Sequence, residues 1–207
     1  MTEIKLHKTG ETGMSRIGLS IAAISVLLAL VLVVPGFAQK KTIATKPVVE
    51  FDTTMGKISV ELNPAKAPIT ARNFLDYVNS GFYNGTIVHR VDFVIGLGGY
   101  TETMMPKSTR PPIKNESKNG MKNLRGTLAM ARYDNPDSAT SQFFINLKDN
   151  SHLDPAGAGF GYAVFGKVIE GMDVVDKISK VKTGTKAPFS NIPLQTIVVK
   201  LAKVVSK

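Results

Sequence analysis

Short runs of β-branched and aromatic residues recur from Val48 onward, and only two stretches break that habit with helical spacing. Val48-Val49-Glu50-Phe51 and Ile58-Ser59-Val60-Glu61-Leu62 flank a turn-like segment and read as a hairpin with one buried face. Further strands are predicted over Thr86–Val91, Phe93–Leu97, Thr127–Ala131, Gln142–Leu147, Tyr162–Val168 and Thr196–Val204. Ala71, Phe74, Leu75 and Val78 recur at helical spacing after Pro64 and Pro68 and stop at Ser80-Gly81, which marks one amphipathic helix. Val174, Val175 and Ile178 form a second apolar stripe after Gly171. This ratio, without regular strand-helix alternation, excludes a doubly wound parallel sheet. It predicts an all-β dominated fold, a closed eight-stranded antiparallel β-barrel capped by two α-helices, in which closure leaves no exposed strand edge.

The N-terminal part has a different character. Residues Ile17 to Val34 are apolar and uncharged, Lys5, Lys8 and Arg16 precede them, and Gly36 and Ala38 supply a small-x-small pattern. We read 1–38 as a signal peptide or N-terminal membrane anchor, 39–47 as a linker and 48–207 as a single folded domain. The charge asymmetry places the folded domain across a membrane and outside the cytoplasm, with membrane anchoring if the apolar segment is retained. The chain has no cysteine, so thiolate chemistry and a disulfide framework are excluded. The formal charge of +10 comes from lysines and arginines scattered singly and in pairs, without interleaved stacking aromatics, so nucleic acid is not expected as a partner. The long polar segment from Thr101 to Asn123, with Pro106, Pro111 and Pro112, is expected to be a functional loop.

Familiar chemistries are missing. Gly96-Leu97-Gly98-Gly99 has neither the spacing nor the following helix of a dinucleotide fingerprint. His7, His89 and His152 are too scattered for a metal site, and no nucleophile elbow accompanies His89. No cofactor and no metal are therefore expected. What draws notice is Ser141-Gln142-Phe143-Phe144-Ile145-Asn146 beside Gly126-Thr127-Leu128-Ala129-Met130-Ala131. Alternation puts Gln142 and Phe144 on one face, so an amide and a ring can share a cavity. A Phe pair in a strand is ordinarily core, and Arg90, within Val88-His89-Arg90-Val91, is equally well read as half of a surface ion pair or as a fixed charge beside that cavity.

Taken together, these runs resemble the cyclophilin family of peptidyl-prolyl cis-trans isomerases, most closely its bacterial periplasmic members. The matching segments are Asn73-Phe74-Leu75-Asp76-Tyr77-Val78-Asn79-Ser80-Gly81-Phe82-Tyr83-Asn84, Val88-His89-Arg90-Val91 and Pro112-Ile113-Lys114-Asn115-Glu116. They continue through Arg125 to Arg132, Asp137 to Asn146 and Gly161 to Val168, so the resemblance spans roughly Val48 to Val204. It implies an eight-stranded barrel with two capping helices, acting as a monomer on proline-containing segments of exported polypeptides. Arg90 would be the catalytic arginine, Phe93, Phe144 and Leu153 would line the proline pocket, and Ala131 and Gln142 would hold the substrate backbone. Tyr162 would sit at the rim. His152 stands where many members carry an aromatic residue, which should alter the rim and the response to cyclosporin-like ligands.

The pattern breaks in one place. The family continues His-Arg-Val with Ile-Pro-Gly-Phe-Met-Ile-Gln-Gly-Gly, whereas Asp92-Phe93-Val94-Ile95-Gly96-Leu97-Gly98-Gly99 stands here, one residue shorter. If Phe93 keeps the pocket ring, Gly96 takes the glutamine's place and Leu97 is inserted; if the glycine pair is the anchor, Leu97 takes that place and Val94 replaces the ring. Neither restores the amide, and a slip by one residue exchanges faces. Two functions follow: a working isomerase, or a proline-peptide-binding chaperone with weakened catalysis.

Overall fold

The hairpin read at the start of the domain forms as β1 (Val48–Thr53) and β2 (Gly56–Leu62), closed by Thr54-Met55 and in continuous register from Val48↔Glu61 to Thr53↔Gly56. The structure, a computed structural model, describes residues 46–206 apart from Pro188. The expected export segment 1–38 and most of the linker 39–47 lie outside the described residues. The remaining barrel strands are β3 (Thr86–Val91), β4 (Val94–Thr101), β5 (Thr127–Met130), β6 (Phe143–Asn146), β7 (Val164–Glu170) and β10 (Val198–Ser206). They close in the order β1-β10-β3-β4-β6-β5-β7-β2, every neighbour antiparallel. The predicted eight-stranded barrel is the observed one.

Alternation along these strands fills the interior. Val49, Phe51, Val60, Leu62, Leu128, Phe143, Ile145 and Phe165 are buried inward, and α1 (Pro68–Asn79) adds Phe74, whose ring lies 5.0 to 6.1 Å from those of Phe51, Tyr83, Phe143 and Phe165. α2 (Met172–Ser179) contributes Val174, Val175 and Ile178 to the same cluster. Gly171, just before it, has φ +85°, and a Cβ there would lie 2.3 Å from the Lys57 carbonyl oxygen, so only glycine fits.

Two features were not legible beforehand. A small antiparallel sheet of β8 (Thr183–Lys186) and β9 (Phe189–Pro193) lies outside the barrel order, with Phe189 set edge-on to Tyr100 at 4.8 Å. Its Gly, Lys, Asn and Pro content carries no alternation of the kind that marks a half-buried strand. The Thr101–Asn123 segment, expected to be functional, is a strap. Ala67 at the N-cap of α1 offers no side-chain acceptor, and Glu116 supplies one, receiving the N–H groups of Ile69 and Thr70 at 3.1 and 2.8 Å. Asn115 reaches the Pro136 and Gly161 carbonyls, and Asn119 that of Val164.

Candidate active site

The β3–β4 pairing explains how an arginine in a barrel strand comes to face outward. Val88 is buried and pairs with Leu97, but Arg90 pairs with Gly96, so β3 spends two residues where β4 spends one. His89 is the extra residue of a β-bulge, and the bulge turns Arg90 to the face opposite Val88. Val91, back inside at 5 % exposure, pairs with the equally inward Ile95.

Gly96 also pairs with Phe144, Phe144 with Ala129, and Ala129 with Val164. Directly opposed residues of neighbouring strands project to the same side of a sheet. Arg90, Gly96, Phe144, Ala129 and Val164 thus form one transverse row on the outer face of five adjacent strands. Val94, Ala129, Phe144, Leu153 and Val164 pack there as an apolar cluster separate from the barrel core, with Phe93, Met121, Ala131 and Tyr162 against its margin. The Tyr162 ring meets Phe144 edge-on at 5.5 Å, and Phe93 meets His152 likewise at 5.3 Å. At the other end the Arg90 guanidinium stands 5.4 Å from the Phe93 ring centroid, and its Nε and Nη2 each lie 2.7 Å from Asp92 Oδ2.

The altered segment now has a definite register. Ile95 and Leu97 point into the core, while Val94 and Gly96 lie on the groove face, so Phe93 keeps the ring position and Gly96 takes the place of the amide. The added Leu97 is absorbed where β4 spends four residues against two of β3, between Val88↔Leu97 and Thr86↔Thr101. Gly98 makes that possible: its φ is +88°, and a Cβ would come within 2.9 Å of the Tyr83 ring. The expected strand start at Phe93 is one residue early, because Asp92-Phe93 form the turn.

Gln142 and Ala131 lie to one side of the apolar cluster. Ala131 donates its N–H to the Gln142 carbonyl at 3.0 Å, and both side chains line a second pocket of about 140 Å³ with Tyr100, Arg132, Tyr133, Ser138 and Thr140. Phe144 and Leu153 belong to the apolar cluster, Phe93, Ala131 and Tyr162 border it, Arg90 stands beside Phe93, and Gln142 lines the polar annex that Ala131 joins to the cluster; this stretch of the outer face is the candidate groove, an apolar hollow with a polar annex. His152 is exposed at its rim.

The sequence reading missed the supports. Arg132 donates to the Gly161 and Phe160 carbonyls and lies 4.9 Å from the Tyr162 ring, which fixes the loop carrying that ring. Beside Phe144 on the same face, Asn146 Nδ2 donates to Thr127 Oγ1 at 2.9 Å and to Asn123 Oδ1 at 3.2 Å. Asn150 Nδ2 donates to Asn146 Oδ1 at 2.8 Å and to the Phe93 carbonyl at 3.3 Å. Three nearly inaccessible asparagines close to an apolar run were the signal available for this network. His89 titrates near 4, below the ordinary histidine value, because burial penalises its charged form; the Arg90 charge adds to this and a bond to the Ile87 backbone partly opposes it.

Comparison with known proteins agrees with this geometry. The family model described as cyclophilin type peptidyl-prolyl cis-trans isomerase/CLD matches residues 48–204. Peptidyl-prolyl cis-trans isomerase A of Dickeya dadantii is 50 % identical over 189 residues, covering 90 % of this chain and 97 % of that protein. A peptidyl-prolyl cis-trans isomerase of Acinetobacter baylyi is 57 % identical over 151 residues, covering 72 % and 80 %. A crystal structure of a Cryptosporidium parvum cyclophilin type peptidyl-prolyl cis-trans isomerase in the presence of the dipeptide Ala-Pro is similar with a TM-score of 0.66 at 27 % identity, covering 77 % of this chain and 99 % of that one.

Proposed function

This chain belongs to the cyclophilin-type peptidyl-prolyl cis-trans isomerases, and on that premise we propose that Arg90 is its catalytic residue and that it works on X-Pro bonds of exported polypeptides. The X-Pro amide resists rotation because resonance gives its C–N bond partial double character, with a barrier of roughly 20 kcal/mol. The prolyl ring seats in the hollow over Phe144, Val94, Ala129 and Leu153 and sheds water there. Gln142 and the Ala131 carbonyl hold the substrate backbone in the annex, since the Ala131 N–H is already engaged.

As the bond twists, its nitrogen pyramidalises and gains an accepting lone pair that the planar amide lacks. Arg90 donates to it, an interaction stronger in the twisted state than in the ground state, and such differential binding accelerates the step without metal, nucleophile or proton transfer. The observation carrying this reading is the transverse row, which sets Arg90 and Phe144 on one face on either side of Gly96.

Residues 1–38 act as the export segment or anchor, 39–47 as the linker, and the folded domain operates as a monomer in the periplasm. The absence of cysteine suits a chain that must fold unaided in an oxidising compartment. A cyclosporin-like macrocycle would cover the same groove, with His152 altering its rim. The second reading, a proline-peptide-binding chaperone with weakened catalysis, draws support from Gly96, which leaves no amide beside Arg90. A protease-coupled assay on an Ala-Pro peptide separates the two. Arg90→Ala should lower kcat/KM by about 100-fold, whereas wild-type and variant rates that both sit at background leave only the chaperone.

A further inference from the structure

The segment that departs from the family pattern removes one neighbour of Arg90 and supplies another. A Cβ at position 96 would lie 3.3 Å from Arg90 Cβ and 3.4 Å from His89 Nε2, so a glutamine side chain there would press on both; with glycine, position 96 offers Arg90 no side chain and the His89 ring lies against it. Asp92 approaches from the turn instead. Its Oδ2 receives both Nε and Nη2 at 2.7 Å, and its Oδ1 accepts the Val94 N–H at 3.1 Å, which ties the carboxylate to the first residue of β4. Asp92 is thus anchored at one oxygen and clamps with the other. Among the described residues it is the only side chain hydrogen-bonded to Arg90, and the Phe93 ring stands 5.4 Å from the guanidinium carbon. Nη1, on the edge away from the carboxylate, is left to donate.

A contribution to stability does not account for this arrangement. The Arg90 side chain is 47 % exposed, and ion pairs of that exposure add little to stability. What the pair does is orient. A free arginine on an open face samples several rotamers, and a donor that must meet a transient lone pair loses effectiveness with each rotamer that points elsewhere. We propose that Asp92 is the positioning residue for Arg90, gripping it from the turn in a chain whose position 96 carries no side chain to do so. The turn that shortens the family segment thereby carries its own compensation.

This rests on Arg90 being the group that acts on the substrate, and the test separates the two claims. Asp92→Asn keeps an acceptor for the Val94 N–H and removes the charge that grips the guanidinium. NMR exchange spectroscopy gives the on-enzyme isomerisation rate of an Ala-Pro peptide, titration gives its Kd, and the Arg90 Nε–H resonance reports the clamp directly. Asp92→Asn should slow the on-enzyme step by about tenfold with Kd changed by less than about twofold. The Arg90 Nε–H signal should move to the position of an unpaired arginine. In an Arg90→Ala background the Asp92 change should have no further effect, because the two residues act as one unit. Should Asp92→Asn fail to fold, Asp92→Ser, whose hydroxyl still accepts from Val94, carries the same measurement. A wild-type rate in the Asp92 variant together with a slow Arg90→Ala overturns the positioning role alone. A wild-type rate in Arg90→Ala overturns the catalytic assignment beneath it, and additive losses in the double variant overturn the coupling.

Discussion

The two flanks of the groove are built on different plans. On the β5–β6 side the wall is tied down many times: Phe144 packs with Ala129, Val164 and Leu153, the asparagine network lies beside it, Asn119 binds the Val164 carbonyl, and Asn115 and Arg132 bind that of Gly161. On the β3–β4 side the charge is delivered by one bulged histidine, one short turn and one carboxylate. Shape is thus over-determined and orientation is not. Losing one bond on the first flank should leave the hollow standing but cost folding energy, whereas losing one on the second should spare folding and slow the chemistry.

That contrast breaks most visibly at Phe144. Phe144→Ala should cost about 3 kcal/mol of stability, the usual penalty for emptying a packed aromatic site, and weaken proline-peptide affinity; urea unfolding and peptide titration would show both. A loss of affinity with unchanged stability would mean that the ring serves substrate alone. Asn146→Ala, which leaves the buried Asn123 Oδ1 without its donor and takes one acceptor from Asn150 Nδ2, should cost about 2 to 3 kcal/mol. With the Asn150 tie to Phe93 loosened, the catalytic loss should stay smaller than that of Arg90→Ala.

The β3 flank has its own signature in acid. His89 is held neutral down to about pH 4, while in the unfolded chain it protonates near 6.5. Its contribution is therefore intact above pH 6.5, and it is lost as pH falls toward 4, because the unfolded state takes the proton first. The bulge should weaken by on the order of 2 kcal/mol between pH 7 and 4.5, and His89→Gln should flatten that part of a denaturation profile measured across pH. The smallest effect is expected far from the groove. Glu116→Ala removes the acceptor at the start of α1 and should cost about 1 kcal/mol, with kcat/KM unchanged in the peptide assay.

Much of this was legible because alternation and helical spacing survive on one-sided elements. The barrel, both helices and the groove residues Phe144, Gln142 and Tyr162 follow from period-two runs and from segments whose order resembles a known family. The outward turn of Arg90 was not, since a bulge is a pairing of two distant strands and leaves no mark on one of them. The structural part played by Thr101–Asn123 was not legible for a similar reason: that Glu116 caps α1 shows only once the helix end is seen beside it. The choice between the two alignments of Asp92–Gly99 needed the inward faces of Ile95 and Leu97, which burial supplies and spacing does not.

The transverse row lies on the outside of a sealed wall, so binding asks nothing of the barrel's interior. If the groove holds substrate as proposed, a chain can lie across it with both ends trailing free, whatever their length. For a peptidyl-prolyl isomerase such an open bench would make a proline in mid-sequence as accessible as one near a terminus, provided its neighbours are not packed away.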